Sequence, residues 1–341
     1  MAEGVCAALR RLRPVDVMTV PVKRRLPTRL LMAALRRGAA PGLVLRLGYG
    51  VPLPPAGLVI SAGGDTIAAN VAAARMLGAE NIFCGTLRHA IPEDFSLIVS
   101  SYARHEKLAR HIVCLKPTAM DPDGLGRPGE IPAFGPSHPP TLAALLIGGD
   151  SGLFHYTQEE WRALLAFVSR QHTAHGTRWL ISTSRRTPEW VADAVVQQQA
   201  KSDEAGEAAG AIAELLDYRK AGPGTLPRLL ARADVVLCTE DSSTMISETI
   251  AARLPVIGIA PRQHSFKPEE AEYRALMMSR QWARFLPLAN LTPDRFLAEL
   301  SQVRPLRENH LTLLARTLAE RLPGLVEGRR GVRPTPPEAD K

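Results

Sequence analysis

The chain has 341 residues, 45% hydrophobic and 22% charged, enough for two domains with full cores. No run of 18 apolar residues occurs, so no transmembrane helix is expected, and no apolar segment follows the first basic residues as a secretory signal requires. The net charge of +8 is local: residues 1–60 hold ten Lys/Arg against Glu3 and Asp16, and the remainder is balanced.

Cys6, Cys84, Cys114 and Cys238 lie far apart without zinc spacing. They read as free thiols in a reducing, cytoplasmic compartment, and no metal is expected. Aromatic residues are 5% and no DNA- or RNA-binding motif is present, which argues against nucleic acid as a partner.

In chain order, VDVMTV (15–20) reads as a short strand. KRRLPTRLLMAALRR (23–37) places Leu26, Leu30, Leu31, Ala34 and Leu35 at helical spacing with arginines on the flanks. Such a helix either packs on a sheet or lies on an anionic membrane surface. GLVIS (57–61), NIFCG (81–85), FSLIVS (95–100) and HIVCL (111–115) are strand-like runs separated by Ala-rich helical stretches.

Residues 116–141 hold seven Pro and four Gly and read as an interdomain linker or a long loop. A second series follows. Strands are expected at 141–149, 178–183, 211–218, 235–238 and 255–260, with helices between them; residues 269–321 look mainly helical. This alternation predicts an α/β protein of two Rossmann-like domains facing a cleft. The expected boundaries are an N-terminal Rossmann-like domain over 1–118 and a linker over 119–140. A second Rossmann-like domain over 141–275, C-terminal helices over 276–322 and a disordered tail over 323–341 complete the division.

Ligands of such sheets bind beyond the carboxyl ends of the strands, and three loops there carry phosphate-friendly residues. LLIGGDSG contributes Gly148, Gly149 and Ser151. ISTSRRTPEW contributes Ser184, Arg185 and Arg186. VVLCTEDSSTMISE contributes Asp241, Ser242, Ser243 and, one helical turn on, Glu248. Glycines admit a phosphate to the backbone, arginines clamp a diphosphate, a helix N-terminus attracts an anion, and a carboxylate accepts from a ribose diol. In the first half, Asp65 begins a helix after Gly63 and Gly64, and His105 and Glu106 follow a strand. These three are candidates for the base that deprotonates an acceptor hydroxyl.

The segments ALLIGGDSG, ISTSRRTPEW and ADVVLCTEDSSTMISETIAARLPVIG, spanning about 140–262, together resemble the mitochondrial-fission "elongated mitochondria" (ELM) family. GLVISAGGDT and the His105–Glu106 pair match more loosely. That family is similar to GT-B glycosyltransferases, and its strand–Ser/Asp–helix–Glu–Pro segment looks like the donor region of the transferase that makes peptidoglycan lipid intermediates. The resemblance implies a GT-B-like fold whose N-terminal domain here lacks its first strand, because Met1 opens inside the first helix.

It also implies a nucleotide-sugar as donor substrate, with no tightly bound cofactor, and a cell-envelope glycan or glycolipid as acceptor. Gly148, Gly149 and Ser151 correspond to the donor loop, Ser242 and Ser243 to the phosphate-side hydroxyls, and Glu248 to the ribose carboxylate. The second reading is a non-catalytic, membrane-associated adaptor of the ELM type.

Overall fold

The computed structural model describes residues 1–50, 52–126, 132–204 and 210–327. In chain order, the first elements are helices α1 (Ala2–Arg10), α2 (Thr28–Arg36) and α3 (Pro41–Gly48), strand β1 (Leu58–Ala62), helix α4 (Ile67–Leu77), and strands β2 (Glu80–Cys84), β3 (Leu97–Ser100) and β4 (His111–Val113). Next come β5 (Leu142–Leu146), β6 (Phe154–His155), α5 (Gln158–His175), β7 (Arg178–Ser182), α6 (Glu189–Glu204), β8 (Ile212–Leu216), α7 (Tyr218–Ala221) and α8 (Leu226–Leu230). The chain continues through β9 (Val235–Thr239), α9 (Ser243–Ala251), β10 (Val256–Ala260), β11 (Gln263–His264), α10 (Pro268–Ser279), β12 (Ala283–Pro287) and α11 (Pro293–Leu300). It then forms α12 (His310–Arg321) and α13 (Gly324–Glu327).

The larger sheet has the order β12-β10-β9-β5-β7-β8, with every pairing parallel. The chain builds outward from β5 through β7 to β8. It then returns to the other side of β5 and builds outward again through β9, β10 and β12. This is the doubly wound order, and the reversal between β5 and β9 is its switch point. Every residue of β9 and β10 is buried, as strands covered on both faces require, so both read as unbroken apolar runs.

Alternate residues feed two cores. Ala143, Leu145, Val235 and Leu237 pack with Trp161 and Phe167 of α5, Val195 of α6 and Phe296 of α11. Ala144, Leu146, Val236 and Cys238 pack with Leu229 of α8, Ile246 and Ile250 of α9, and Met277 of α10. Helix α5 begins with a reciprocal cap, Thr157 with Glu160, and ends at Gly176 in a left-handed conformation.

The smaller sheet has the order β1-β2-β3-β4, with β1, β2 and β3 parallel. Its core joins Leu31, Met32 and Leu35 of α2, Val44 and Leu45 of α3, and Ile67–Ala72 of α4 to Phe83, Phe95 and Ile98. Alanines let α4 lie close to the strands. Its one polar core residue, Asn70, bonds the Ser61 hydroxyl, the Ile82 carbonyl and Asn81, as a buried amide must.

Several expectations are corrected. Residues 15–20 form no strand: Val17 and Met18 are exposed and the segment pairs with nothing in a sheet. β-branched composition cannot supply a partner strand. The 269–321 stretch contains the edge strand β12, which pairs with β10. The basic helix needs no correction to the first alternative, packing on the sheet, since Leu31 and Leu35 face the core.

The unit boundaries also differ. One compact unit comprises Ser100–Lys107 and Val113–His310; the other comprises Ala2–Val99, Leu108–Ile112 and the chain from Leu311. Residues on both sides of the expected linker therefore belong to the six-stranded unit. Phe134 is buried in its core, and Gly135 lies against Ser301 next to α11. The Pro/Gly composition marks a folded loop there. Of the expected tail, residues 324–327 are helical, and 328–341 lie outside the described residues.

Phe296 is fully buried, with ring centroids 5.6 Å from Phe167 and 6.1 Å from Trp179. Phe296→Ala should cost about 3–5 kcal/mol of unfolding free energy in a denaturant titration. A loss under about 1 kcal/mol would contradict this packing of α11.

Candidate functional site

The carboxyl ends of β5, β7 and β9 are locked together by their own loops. The Gly148 N–H donates to the Thr239 hydroxyl at 2.7 Å, and the Gly149 N–H donates to the Asp241 carboxylate at 3.2 Å. Arg186 pairs with that same carboxylate. Ser184 donates to the Gly148 carbonyl at 3.1 Å, and Thr187 donates to it at 2.8 Å.

A Cβ on Gly148 would lie 2.2 Å from the Asp241 carboxylate, and one on Gly149 would lie 2.0 Å from the Arg186 carbonyl. Both glycines are thus demanded by loop-on-loop packing, whatever ligand approaches. The Asp241 side chain is 0% exposed. Burial pushes its pKa up, while the Thr239 hydroxyl and the Arg186 guanidinium pull it down. Asp241 is itself the anion that Gly149 and Arg186 hold. Arg185 is left exposed beside it. Ser151 turns the chain toward β6, its N–H bonding the Phe154 carbonyl at 3.0 Å.

After β9, Glu240 turns inward. It is buried and accepts from Arg274 at 2.8 Å, and the Arg274 guanidinium lies 4.3 Å from the Phe285 ring centroid. Burial raises the Glu240 pKa and Arg274 opposes that shift. The Ser242 hydroxyl caps α9, accepting from the Met245 N–H at 3.4 Å.

Sequence reasoning missed the neighbours of the first turn of α9. Lys116 Nζ donates to the Ser243 hydroxyl at 3.1 Å and to the Glu270 carboxylate at 2.8 and 2.9 Å, and sits 4.3 Å above the Tyr273 ring. The Ser247 hydroxyl meets the Tyr273 hydroxyl at 2.8 Å and donates to the Ser243 carbonyl at 2.6 Å. A cation at a helix N-terminus opposes the helix dipole; the Glu270 carboxylate offsets it. The available signal was KPT directly after a strand-like run, but nothing local ties Lys116 to residues 127 and 154 positions away. Glu248 is half-buried one turn on. Burial raises its pKa, and a bond from the Thr118 hydroxyl lowers it.

The three base candidates fall in different units. Asp65 belongs to the four-stranded unit, is exposed and pairs with Arg24 at 3.2 Å. His105 and Glu106 belong to the six-stranded unit. Glu106 pairs with Arg280 of the α10 C-cap at 2.6 Å. His105 Nδ1 meets the Ser100 hydroxyl at 2.7 Å, and Arg104 Nε donates to His105 Nε2 at 3.3 Å. Among the described residues, no three His, Cys, Asp or Glu side chains gather closely enough to hold a metal ion.

The sequence matches the Mitochondrial fission ELM1 family over residues 1–322. The chain belongs to that family. No curated protein matches it. Among solved structures, this ELM1-family chain is similar to MurG of Acinetobacter baumannii, at 12% identity and a TM-score of 0.47 over 90% of this chain and 85% of that one. It is also similar to the UDP-GlcNAc 2-epimerase of Methanocaldococcus jannaschii, at 10% identity and a TM-score of 0.46 over 92% and 88%. A third likeness is to the glycotransferase of kitacinnamycin, at 14% identity and a TM-score of 0.44 over 96% and 90%.

Two outcomes test the site's physics. Gly149→Ala should lower the melting temperature, because backbone rather than a mobile side chain blocks the new methyl group; an unchanged melting curve would contradict the interlock. The raised Glu248 pKa means the native state holds that proton more tightly than the unfolded chain. Stability from this group therefore falls as pH rises from the unfolded value, about 4.3, through the folded one. Glu248→Gln should melt higher than the parent at neutral pH, with the gap closing in acid. Parallel pH profiles for the two proteins would contradict this environment for Glu248.

Proposed function

We propose that this chain binds a nucleotide-sugar at the carboxyl ends of β5 and β9 and transfers its glycosyl group to a cell-envelope glycan or glycolipid. The observation that carries the reading is the reversal of strand order between β5 and β9. Ligands of open α/β sheets bind at such a reversal, which here lies beside the first turn of α9, where Lys116 bonds Ser243 and Glu248 follows one turn on. The diphosphate would take the α9 N-terminus, the Ser243 hydroxyl, the Lys116 ammonium and exposed Arg185. These groups favour the charge that grows on the leaving diphosphate. Glu248, once ionised, would accept from ribose hydroxyls.

Asp65 and Glu106 are each already held in an ion pair with an arginine. His105 is the better base. If Nδ1–H donates to Ser100, Nε2 is the acceptor, and it would take the acceptor proton once Arg104 moves aside. The family membership and the motifs across 140–262 support the same assignment of donor residues.

Thermal shift against UDP, GDP, CMP and their sugar conjugates tests the proposal. A ligand confined to the native state adds RT ln(1 + [L]/Kd), about 2.7 kcal/mol at a hundredfold excess over Kd. A shift with one nucleotide, lost in Glu248→Ala and weakened in Lys116→Met, is the expected result. No shift with any nucleotide at millimolar concentration would overturn the donor site and leave the adaptor reading in its place.

A further inference from the structure

Between Asp16 and Asp65 the chain carries Lys23, Arg24, Arg25, Arg29, Arg36, Arg37 and Arg46 and no carboxylate. Arg24 pairs with Asp65 and Arg36 with Asp94. Lys23, Arg29, Arg37 and Arg46 are exposed and make no ion pair with another described residue. The same segment exposes large apolar side chains: Leu26 is 41% exposed, Leu30 52%, Leu43 42% and Leu47 54%.

These leucines are neighbours rather than scattered. The Arg25 N–H donates to the Gly48 carbonyl at 2.8 Å, and Leu31 of α2 lies so close to Gly48 of α3 that a Cβ there would meet it at 2.8 Å. The start of α2, with Leu26 and Leu30, therefore sits beside the end of α3, with Leu47. Leu43 is one turn from Leu47, on the side of α3 away from buried Val44, Leu45 and Gly48. Met76 of α4, also exposed, has its sulfur over Gly42 and extends the patch beyond Leu43. Single exposed leucines are ordinary, but a contiguous set ringed by unpaired cations is a contact surface.

We propose that this α2–α3 face lies on an anionic lipid bilayer, with Leu26, Leu30, Leu43 and Leu47 entering the headgroup–acyl boundary and the four free cations over the lipid phosphates. A partner surface that is acidic throughout would satisfy the cations and leave the leucines in water; an anionic bilayer, with charged headgroups above acyl chains, satisfies both at once. The arrangement is interfacial, since no helix among the described residues is long and apolar enough to cross a membrane. It differs from the helix-face reading of 23–37, because Leu31 and Leu35 are committed to the core and α3 supplies the replacement leucines. The inference stands independently of the nucleotide-sugar reading.

Sedimentation of the full chain with equimolar phosphatidylglycerol–phosphatidylcholine vesicles, against phosphatidylcholine alone, tests it. The parent should bind the anionic vesicles and be released by salt. Leu43→Ser/Leu47→Ser should lose about tenfold in partitioning with an unchanged melting temperature, as both positions are exposed. Arg29→Gln/Arg46→Gln should bind more weakly and with a shallower salt dependence. Equal binding to both vesicle types overturns the proposal, as does undiminished binding by both variants. A parent chain that ignores the anionic vesicles also overturns it and points to an acidic protein instead.

Discussion

The larger unit depends on one buried carboxylate. Asp241 sits where the strand order reverses, and it ties the loop after β9 to the loops after β5 and β7 through Gly149 and Arg186. A carboxylate removed from water is costly unless charge and hydrogen bonds are aimed at it. Those partners come from strands that are neighbours only in the sheet, so the bonds close only when β5, β7 and β9 are in register. The glycines follow from this: Gly148 and Gly149 are the residues that let the loops approach closely enough for Asp241 Oδ2 to be paired.

Around that lock, the surrounding elements are held by other ion pairs of different accessibility. Glu240–Arg274 is the buried one, and breaking it from one side would strand a charge. Lys116–Glu270 is more open, with the Glu270 side chain 38% exposed, so solvent screens it. A screened pair can exchange partners at little cost. Lys116 is held in such a pair, whereas Arg186 is committed to the fully buried Asp241 side chain. Arg104–Glu272 and Arg280–Glu106 fasten residues 104–106 to α10 and its C-cap, which explains why this short stretch groups with the six-stranded unit.

The smaller unit is built on different physics. Its core relies on the alanines of α4 and the short helices α2 and α3, with Asn70 and Asn81 as an internally satisfied polar pair. Two short helices cannot bury all their leucines against one narrow sheet. The excess apolar surface emerges on the side where the sequence also concentrates its cations.

The sequence alone determined the α/β class, nine of the strands, the order of the three loops and the N-terminal charge excess. Each is written in local composition: apolar runs of strand length, Gly and hydroxyl clusters behind them, and a stretch empty of acids. Tertiary structure decided the rest. It placed 100–107 with the second sheet, seated Phe134 of the Pro/Gly-rich stretch in a core, and made β12 a strand through its pairing with β10. It also assigned Asp241 to the loops and Lys116 to α9. In every such case the deciding energy is a contact between residues far apart in the chain, and periodicity reports only on near neighbours.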